Sequence, residues 1–295
     1  MAETLFKRVA FIGIGLIGSS MCRRMARDGL VDEIVACARS AETRAKVLEL
    51  GLVNEVYADP SDAAAHADLV VIATPLGSCG SIAKSIANTL KAGAIVTDVG
   101  SVKQAVMQMV QSHLPEEVHF VPGHPIAGTE HSGPEAGFAD LFEGRWTILT
   151  PTADTNEMAV EQMMHLWKKM GAMVELMDPD HHDKVLAITS HLPHLIAYTI
   201  VGTATDLEDD LRQEVIKYSA SGFRDFTRIA ASDPVMWRDI FLNNKEATLE
   251  LLQRFTEDLT TLQRAIRRGD SAALENLFRR TRAIRRGIIE AKQAD

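Results

Sequence analysis

Three glycines in Gly13-Ile14-Gly15-Leu16-Ile17-Gly18 stand between an apolar run, Val9 to Ile12, and a segment, Ser19 to Asp28, that reads as helix. In that setting the spacing is chemistry for phosphate. Gly13 allows a tight turn, Gly15 lets the backbone approach a pyrophosphate, and Gly18 lets the helix pack close to the strand, with the helix-start N–H groups facing the anion. Leu16 and Ile17 belong to the same cradle. The glycines alone are a weak sign; the strand before and the helix after turn them into a dinucleotide site. Such a crevice needs polar side chains to hold a substrate over the nicotinamide, and three further stretches offer them. His124 lies at a strand tip, Ser190-His191-Leu192-Pro193-His194 follows later, and Gly222 to Arg228 precedes Met236-Trp237-Arg238-Asp239. His191 and His194 could cap or pack a helix or bind a metal; no Asp or Glu completes a ligand set at a recognisable spacing, so capping or packing ranks first and no metal is expected.

These groups require a sheet whose strand tips face one crevice. Glu33 to Ala38 reads as the second strand and Ala41 to Leu50 as the helix after it. An NAD-binding strand ends there in Asp or Glu, for the ribose hydroxyls. Here Ala38 ends it, and Arg39 and Ser40 follow. An acid would repel a 2′-phosphate, whereas arginine pairs with it through charge-assisted bonds of about 1.5–3 kcal/mol. NADP is therefore expected over NAD; the other reading leaves Arg39 a solvated loop residue, with NAD held by the remaining ribose contacts. Leu69 to Ala73 is an unbroken apolar strand ending in Thr74-Pro75-Leu76-Gly77, where the sheet would pass over the nicotinamide. Ala94 to Asp98 runs into Val99-Gly100-Ser101-Val102-Lys103, and Val118 to Pro122 into Gly123-His124-Pro125-Ile126-Ala127-Gly128-Thr129-Glu130. Thr147 to Leu149 and Met173 to Leu176 are expected to extend the same sheet, with Asn156 to Met170 as the helix between them.

From Asp178 the strand-like runs stop. Leu186 to Thr205, Asp209 to Ser219, Asp233 to Asn243, Lys245 to Arg268 and Ser271 to Glu290 read as helices. The expected class is α/β: a Rossmann-type doubly wound parallel sheet over residues 1–177, then an all-helical substrate and dimerisation domain over residues 178–295. Leu249, Leu252, Phe255, Leu259, Leu262 and Ile266 form one apolar stripe, which serves either a core or a second subunit. A homodimer through the helical domain is expected.

Composition sets the outer limits. A chain of 295 residues with net charge −9 is long enough for two domains and disfavours nonspecific binding to nucleic acid or anionic membrane. Three cysteines without a Cys-x-x-Cys pair argue against a disulfide framework and for a reducing compartment. Lys7-Arg8 before Val9 to Met21 looks superficially like a secretory signal, but the glycines within it are spaced for phosphate, so a cytoplasmic location is expected. No apolar run is expected to reach the roughly 20 residues of a membrane-spanning helix. The late arginines, Arg264 to Arg286, lack interleaved aromatics and read as a solvated face.

Taken together, the glycine fingerprint, Asp98 to Lys103, His124 to Glu130, Ser190 to His194, and Gly222 to Arg228 with Trp237 downstream resemble the prephenate/arogenate (cyclohexadienyl) dehydrogenase family of tyrosine biosynthesis, across essentially the whole chain. The resemblance implies oxidative decarboxylation: a ring carbon bearing a hydroxyl gives hydride to NAD(P)+, the ring carboxylate leaves as CO2, and a phenol forms. His124 would accept the hydroxyl proton as charge grows on the oxygen. The same resemblance has Ser101 reach the ring hydroxyl, Arg228 bind a substrate carboxylate, Ser190, His191 and His194 line the pocket, and Thr129 and Glu130 stand at its entrance. Trp237 would close the pocket from the neighbouring subunit. Ala38 departs from the acid common in NAD-using members, so the cofactor is not carried over. With only a short tail after the last helix, neither the carboxy-terminal regulatory domain nor the chorismate mutase fusion of some relatives is expected. The competing enzyme is a two-domain dehydrogenase of the β-hydroxy acid type, which would present a lysine and an asparagine where this chain presents His191 and His194; a nucleotide-sensing protein without turnover would not need the polar residues to converge.

Overall fold

The structure is a computed structural model and describes residues 4–205, 214, 217, 218 and 220–290. The helix expected over Asp209 to Ser219 lies outside the described residues apart from 214, 217 and 218. Two compact units are present, residues 1–245 and residues 246–295.

In the first unit, six strands form one parallel sheet: β1 (Phe6–Ile12), β2 (Val31–Cys37), β3 (Glu55–Tyr57), β4 (Leu69–Ile72), β5 (Ile95–Asp98) and β6 (His119–Val121). Their order is β3-β2-β1-β4-β5-β6, so the direction of winding reverses between β1 and β4, and the crevice at that switch is where such sheets bind ligands. Both faces are covered. Val9 and Phe11 of β1 enter one hydrophobic cluster while Ala10 and Ile12 enter the other, the period of two a doubly covered strand requires. The covering helices include α1 (Leu16–Arg27), α2 (Ala41–Glu49), α3 (Pro60–Ala64), α4 (Cys79–Ile86) and α5 (Lys103–Gln111).

The last strands depart from expectation. β7 (Gly123–Pro125), β8 (Trp146–Leu149) and β9 (Met173–Leu176) make a separate three-stranded sheet, with β7 antiparallel to β8. Pro122 is the reason: it offers no N–H to a ladder, so the chain leaves β5 after Val121 and pairs onward with β8. The Pro122 carbonyl accepts the Thr150 N–H at 3.0 Å, which anchors the departure. α6 (Glu157–Lys169) joins β8 to β9, capped by Asn156, whose side chain accepts from Ala159 N–H.

α7 (Pro179–Leu186) begins a continuous helix that runs through a π-helical turn, Ala187–His191, into α8 (Leu192–Thr205). Its 27 residues are long and apolar enough, by length and composition, to cross a membrane. The expectation that no run reaches that length is therefore corrected: from Leu186 to Thr205, Ser, Thr and His interrupt the apolar pattern without adding Asp, Glu, Lys or Arg. The helix also carries His182, Asp183 and His191, buried and bonded to other elements of the unit. Helices Ser221–Thr227 and Pro234–Asn243 complete the unit. The second unit holds helices Lys245–Arg268 and Ser271–Glu290, joined at Gly269 with φ +67°. The stripe residues Leu249, Leu259 and Ile266 are exposed.

Candidate active site

The glycine turn is built as its spacing requires. Gly13 has φ +94°, and a Cβ there would stand 2.6 Å from the Ala73 carbonyl oxygen and 2.7 Å from Cγ2 of Thr74. That backbone cannot yield, so the turn and the Thr74-Pro75 tip of β4 are pressed together. A Cβ on Gly18 would meet the Gly13 carbonyl oxygen at 2.9 Å, which ties α1 to the turn. Gly15 caps α1 and has open space where its side chain would be; no side chain caps the helix and no acid stands in its first turn. The free N–H groups at Leu16, Ile17 and Gly18 therefore suit an anion, and the residues fit a dinucleotide pyrophosphate. At the tip of β2, Ala38 is buried and Arg39 exposed. The Ser40 hydroxyl accepts from Thr43 N–H at 3.0 Å to cap α2, and Arg44 donates to the carbonyls of Ala38 and Arg39.

At the tips of β5 and β7 a buried ion pair fixes the backbone. Lys103, fully buried, donates to Asp98 at 2.5 Å and to the Gly123 carbonyl at 2.6 Å. The Asp98 carboxylate also accepts from the N–H groups of Gly100 at 2.7 Å and Gly123 at 3.3 Å. Four groups thus lock the two tips, with half-buried Ser101 on one and His124 on the other.

His124 is 8% exposed, and its Nδ1 lies 2.9 Å from Nε2 of His182, whose Nδ1 lies 2.8 Å from the Asp183 carboxylate. Asp183 also caps α5, accepting from the N–H of Lys103 at 2.8 Å and of Gln104 at 3.0 Å. Burial holds the His124 imidazole well below its ordinary pKa, helped by His182, Lys103 and His191, so the ring is neutral. Burial also lowers His182, against the opposing bond from Asp183.

His191 is fully buried, and burial pushes its pKa down to about 4. Asn244 donates through its amide to the Asp183 carbonyl at 2.8 Å, and the same nitrogen lies 3.1 Å from His191 Nδ1. That leaves His191 Nε2 as the proton-bearing nitrogen, buried and without a protein partner. His194 donates from Nδ1 to the Ser190 carbonyl at 2.9 Å and stacks on Trp237, ring centres 3.7 Å apart; burial lowers its pKa too. Trp237 lies in the core of its own chain, 5% exposed, between His194 and Phe241. Arg228 pairs with Glu130 at 3.1 Å, and Thr129 is exposed on the same loop, its hydroxyl accepting from His131 N–H.

The structure thus links His124 to Ser101 through the Asp98–Lys103 knot, His191 to His124 through Asp183, His194 to Trp237, and Arg228 to Glu130. Arg39 and Ser40 stand at a different strand tip, where the far end of a dinucleotide belongs. Sequence reading missed His182, Asp183 and Asn244. Asp178 followed by Pro179 is a helix-start signal, an N-cap with proline at the first position, and would have drawn His182 and Asp183 into the helix. No local signal marks Asn244.

A family model for the prephenate dehydrogenase nucleotide-binding domain matches residues 21–176, and one for the prephenate dehydrogenase dimerization domain matches residues 178–280. The chain is 42% identical to the cyclohexadienyl dehydrogenase of Zymomonas mobilis, over 96% of each chain. It is similar to a solved prephenate dehydrogenase from A. aeolicus in complex with hydroxyphenyl propionate and NAD+, at 35% identity and a TM-score of 0.89, covering 96% of this chain and 98% of that one. A solved arogenate dehydrogenase from Synechocystis aligns at 27% identity and a TM-score of 0.78, over 95% and 99% of the two chains. With both family models matched in chain order and 96% of the relative covered, this chain is a dehydrogenase that uses a pyridine nucleotide and belongs to the prephenate dehydrogenase family.

Proposed function

We propose that this enzyme oxidatively decarboxylates prephenate, arogenate or both, giving 4-hydroxyphenylpyruvate or tyrosine, with residues 1–177 holding the nucleotide and residues 178–295 the substrate and the dimer contacts. The observation that carries the reading is His124: a buried neutral imidazole whose Nδ1 is engaged by His182, leaving Nε2 to take a proton. The bound nicotinamide supplies the hydride acceptor. Loss of CO2 and aromatisation supply the driving force, so the protein has mainly to orient the ring and draw charge from its hydroxyl. His124 Nε2 accepts that hydroxyl proton, and Ser101 hydrogen-bonds the same oxygen. His191 Nε2–H donates to a polar group of the substrate, and Arg228 exchanges Glu130 for a substrate carboxylate. A bidentate guanidinium suits that dianion in a chain of net charge −9. Ser190, His194 and Trp237 form the wall on that side, and Thr129 the rim.

NADP is the preferred cofactor. No carboxylate ends β2, Arg39 is exposed beside the start of α2, and Arg44 shapes that loop through its carbonyls. The dimer forms through the helical residues, where Ile200 of α8 and Leu249, Leu259 and Ile266 leave apolar surface exposed. A cytoplasmic location accords with three free, buried thiols.

The test is a steady-state assay at 340 nm crossing prephenate and arogenate with NAD+ and NADP+. The expected result is turnover with at least one substrate and a kcat/KM for NADP+ at least about tenfold above NAD+, a difference near 1.4 kcal/mol. Preference for NAD+ would overturn the cofactor reading alone. Absence of turnover with all four combinations would overturn the activity.

A further inference from the structure

We propose that His182, backed by Asp183, is the positioning residue for His124, fixing the tautomer with the proton on Nδ1 and the lone pair on Nε2. The inference rests on the reading of His124 as the base and follows from counting donors along the chain of bonds. The Asp183 carboxylate already accepts two backbone N–H groups at the start of α5, at 2.8 and 3.0 Å, one on each oxygen, so it serves as an acceptor there. His182 Nδ1, at 2.8 Å from that carboxylate, must therefore donate. A neutral His182 then has only a lone pair at Nε2. His124 Nδ1, 2.9 Å from it, must in turn donate, and a neutral His124 is left with its lone pair on Nε2.

Both imidazoles are kept neutral by their surroundings. His182 is faced by Asp183 from its own helix and by Lys103 and Asp98 from the β5–α5 junction; His124 is faced by His182, Lys103 and His191. Were His182 protonated, both its nitrogens would donate, His124 Nδ1 would become the acceptor, and Nε2 would carry the proton and cease to be a base. The substrate reaction therefore needs a neutral His182 as much as a neutral His124. Asn244 steadies the arrangement by binding the Asp183 carbonyl.

Histidine-selective 15N NMR of the full chain at neutral pH, assigned with single His→Asn variants, reads the tautomer directly and without substrate. His124 is expected to show a protonated Nδ1 and an unprotonated Nε2, and His182 the same. The opposite tautomer on His124 would overturn the proposal. In assays, His182→Leu should lower kcat by about 10²–10⁴-fold, the usual worth of a correctly held base, with the nucleotide KM within about twofold of wild type. His182→Gln keeps an acceptor near the Nε2 position and should restore most of that loss, an effect a merely structural role would not give. Wild-type-like kcat in His182→Leu would sink the proposal while leaving the activity standing; an inactive wild type would overturn the activity, and the spectra would still decide the tautomer.

Discussion

Under the proposed role, His124→Asn removes the nitrogen that would take the ring-hydroxyl proton while keeping a polar side chain, so turnover should fall about 10²–10⁴-fold with little change in nucleotide KM. Stopped-assay kinetics on the purified variant check this. Arg228→Ala should instead raise the substrate KM far more than it lowers kcat, if its guanidinium serves binding as proposed. The buried histidines also tie stability to pH. His191 has a folded-state pKa of about 4, below the unfolded value, so between pH 6.5 and 4 the unfolded chain binds more protons than the folded one. Its contribution is full above pH 6.5 and is lost as pH falls through that window, with a limiting slope of about 1.4 kcal/mol per pH unit. Thermal melts should show Tm dropping across it, and less steeply in His191→Asn. His124, His191 and Arg228 were singled out in the sequence because the runs that hold them, taken together, resemble one family; taken singly, each has an ordinary packing or surface use. His182, Asp183 and Asn244 were not, since their meaning lies in bonds that join distant parts of the chain.

At the scale of elements, the glycine turn separates two roles that one sequence pattern merges. Gly13→Ala forces a side chain at φ +94° into the Ala73 carbonyl, so it should cost the fold several degrees of Tm. Gly15→Ala has room within the protein and should leave Tm nearly unchanged while weakening nucleotide binding at least about tenfold, as the added methyl occupies the phosphate cradle. Calorimetric titration with nucleotide beside thermal melts distinguishes the two. Five strands of the large sheet and the bounds of helices Ala41–Glu49, Pro234–Asn243 and Lys245–Arg268 could be read from the chain to within a few residues, because apolar runs, glycine stops and caps are local signals; β3 and the order of the strands could not. The small sheet of β7, β8 and β9 could not. Which partner a short strand chooses is decided by Pro122 and the backbone donors it leaves in place, and nothing in Thr147 to Leu149 records that choice.

At the scale of the whole molecule, the stripe on helix Lys245–Arg268 leaves a row of apolar side chains exposed. Leu259 and Ile266 are exposed at 48% and 66%, too much apolar surface in one row for a helix that works alone. Sedimentation equilibrium should give twice the 32.3 kDa chain mass, and Leu259→Glu with Ile266→Glu should bring it down to one chain. A mass of one chain for the unaltered protein would remove the helical surface as the dimer contact.

The π-helical turn at Ala187–His191 sets the phase of the longest helix in the first unit. Each residue of an α-helix advances about 100°, so the eight steps from Asp183 to His191 would leave them about 80° out of line. A π-turn absorbs one residue more, which rotates everything after it back by about 100° and brings the two within about 20° of a common line. That is why one asparagine amide can touch both. Deleting Thr189, an exposed residue in the turn, would restore an ordinary α-helix and should leave the protein helical while turning His191 and His194 out of register with His124. In this fold an insertion of one residue is what aims the second half of the site.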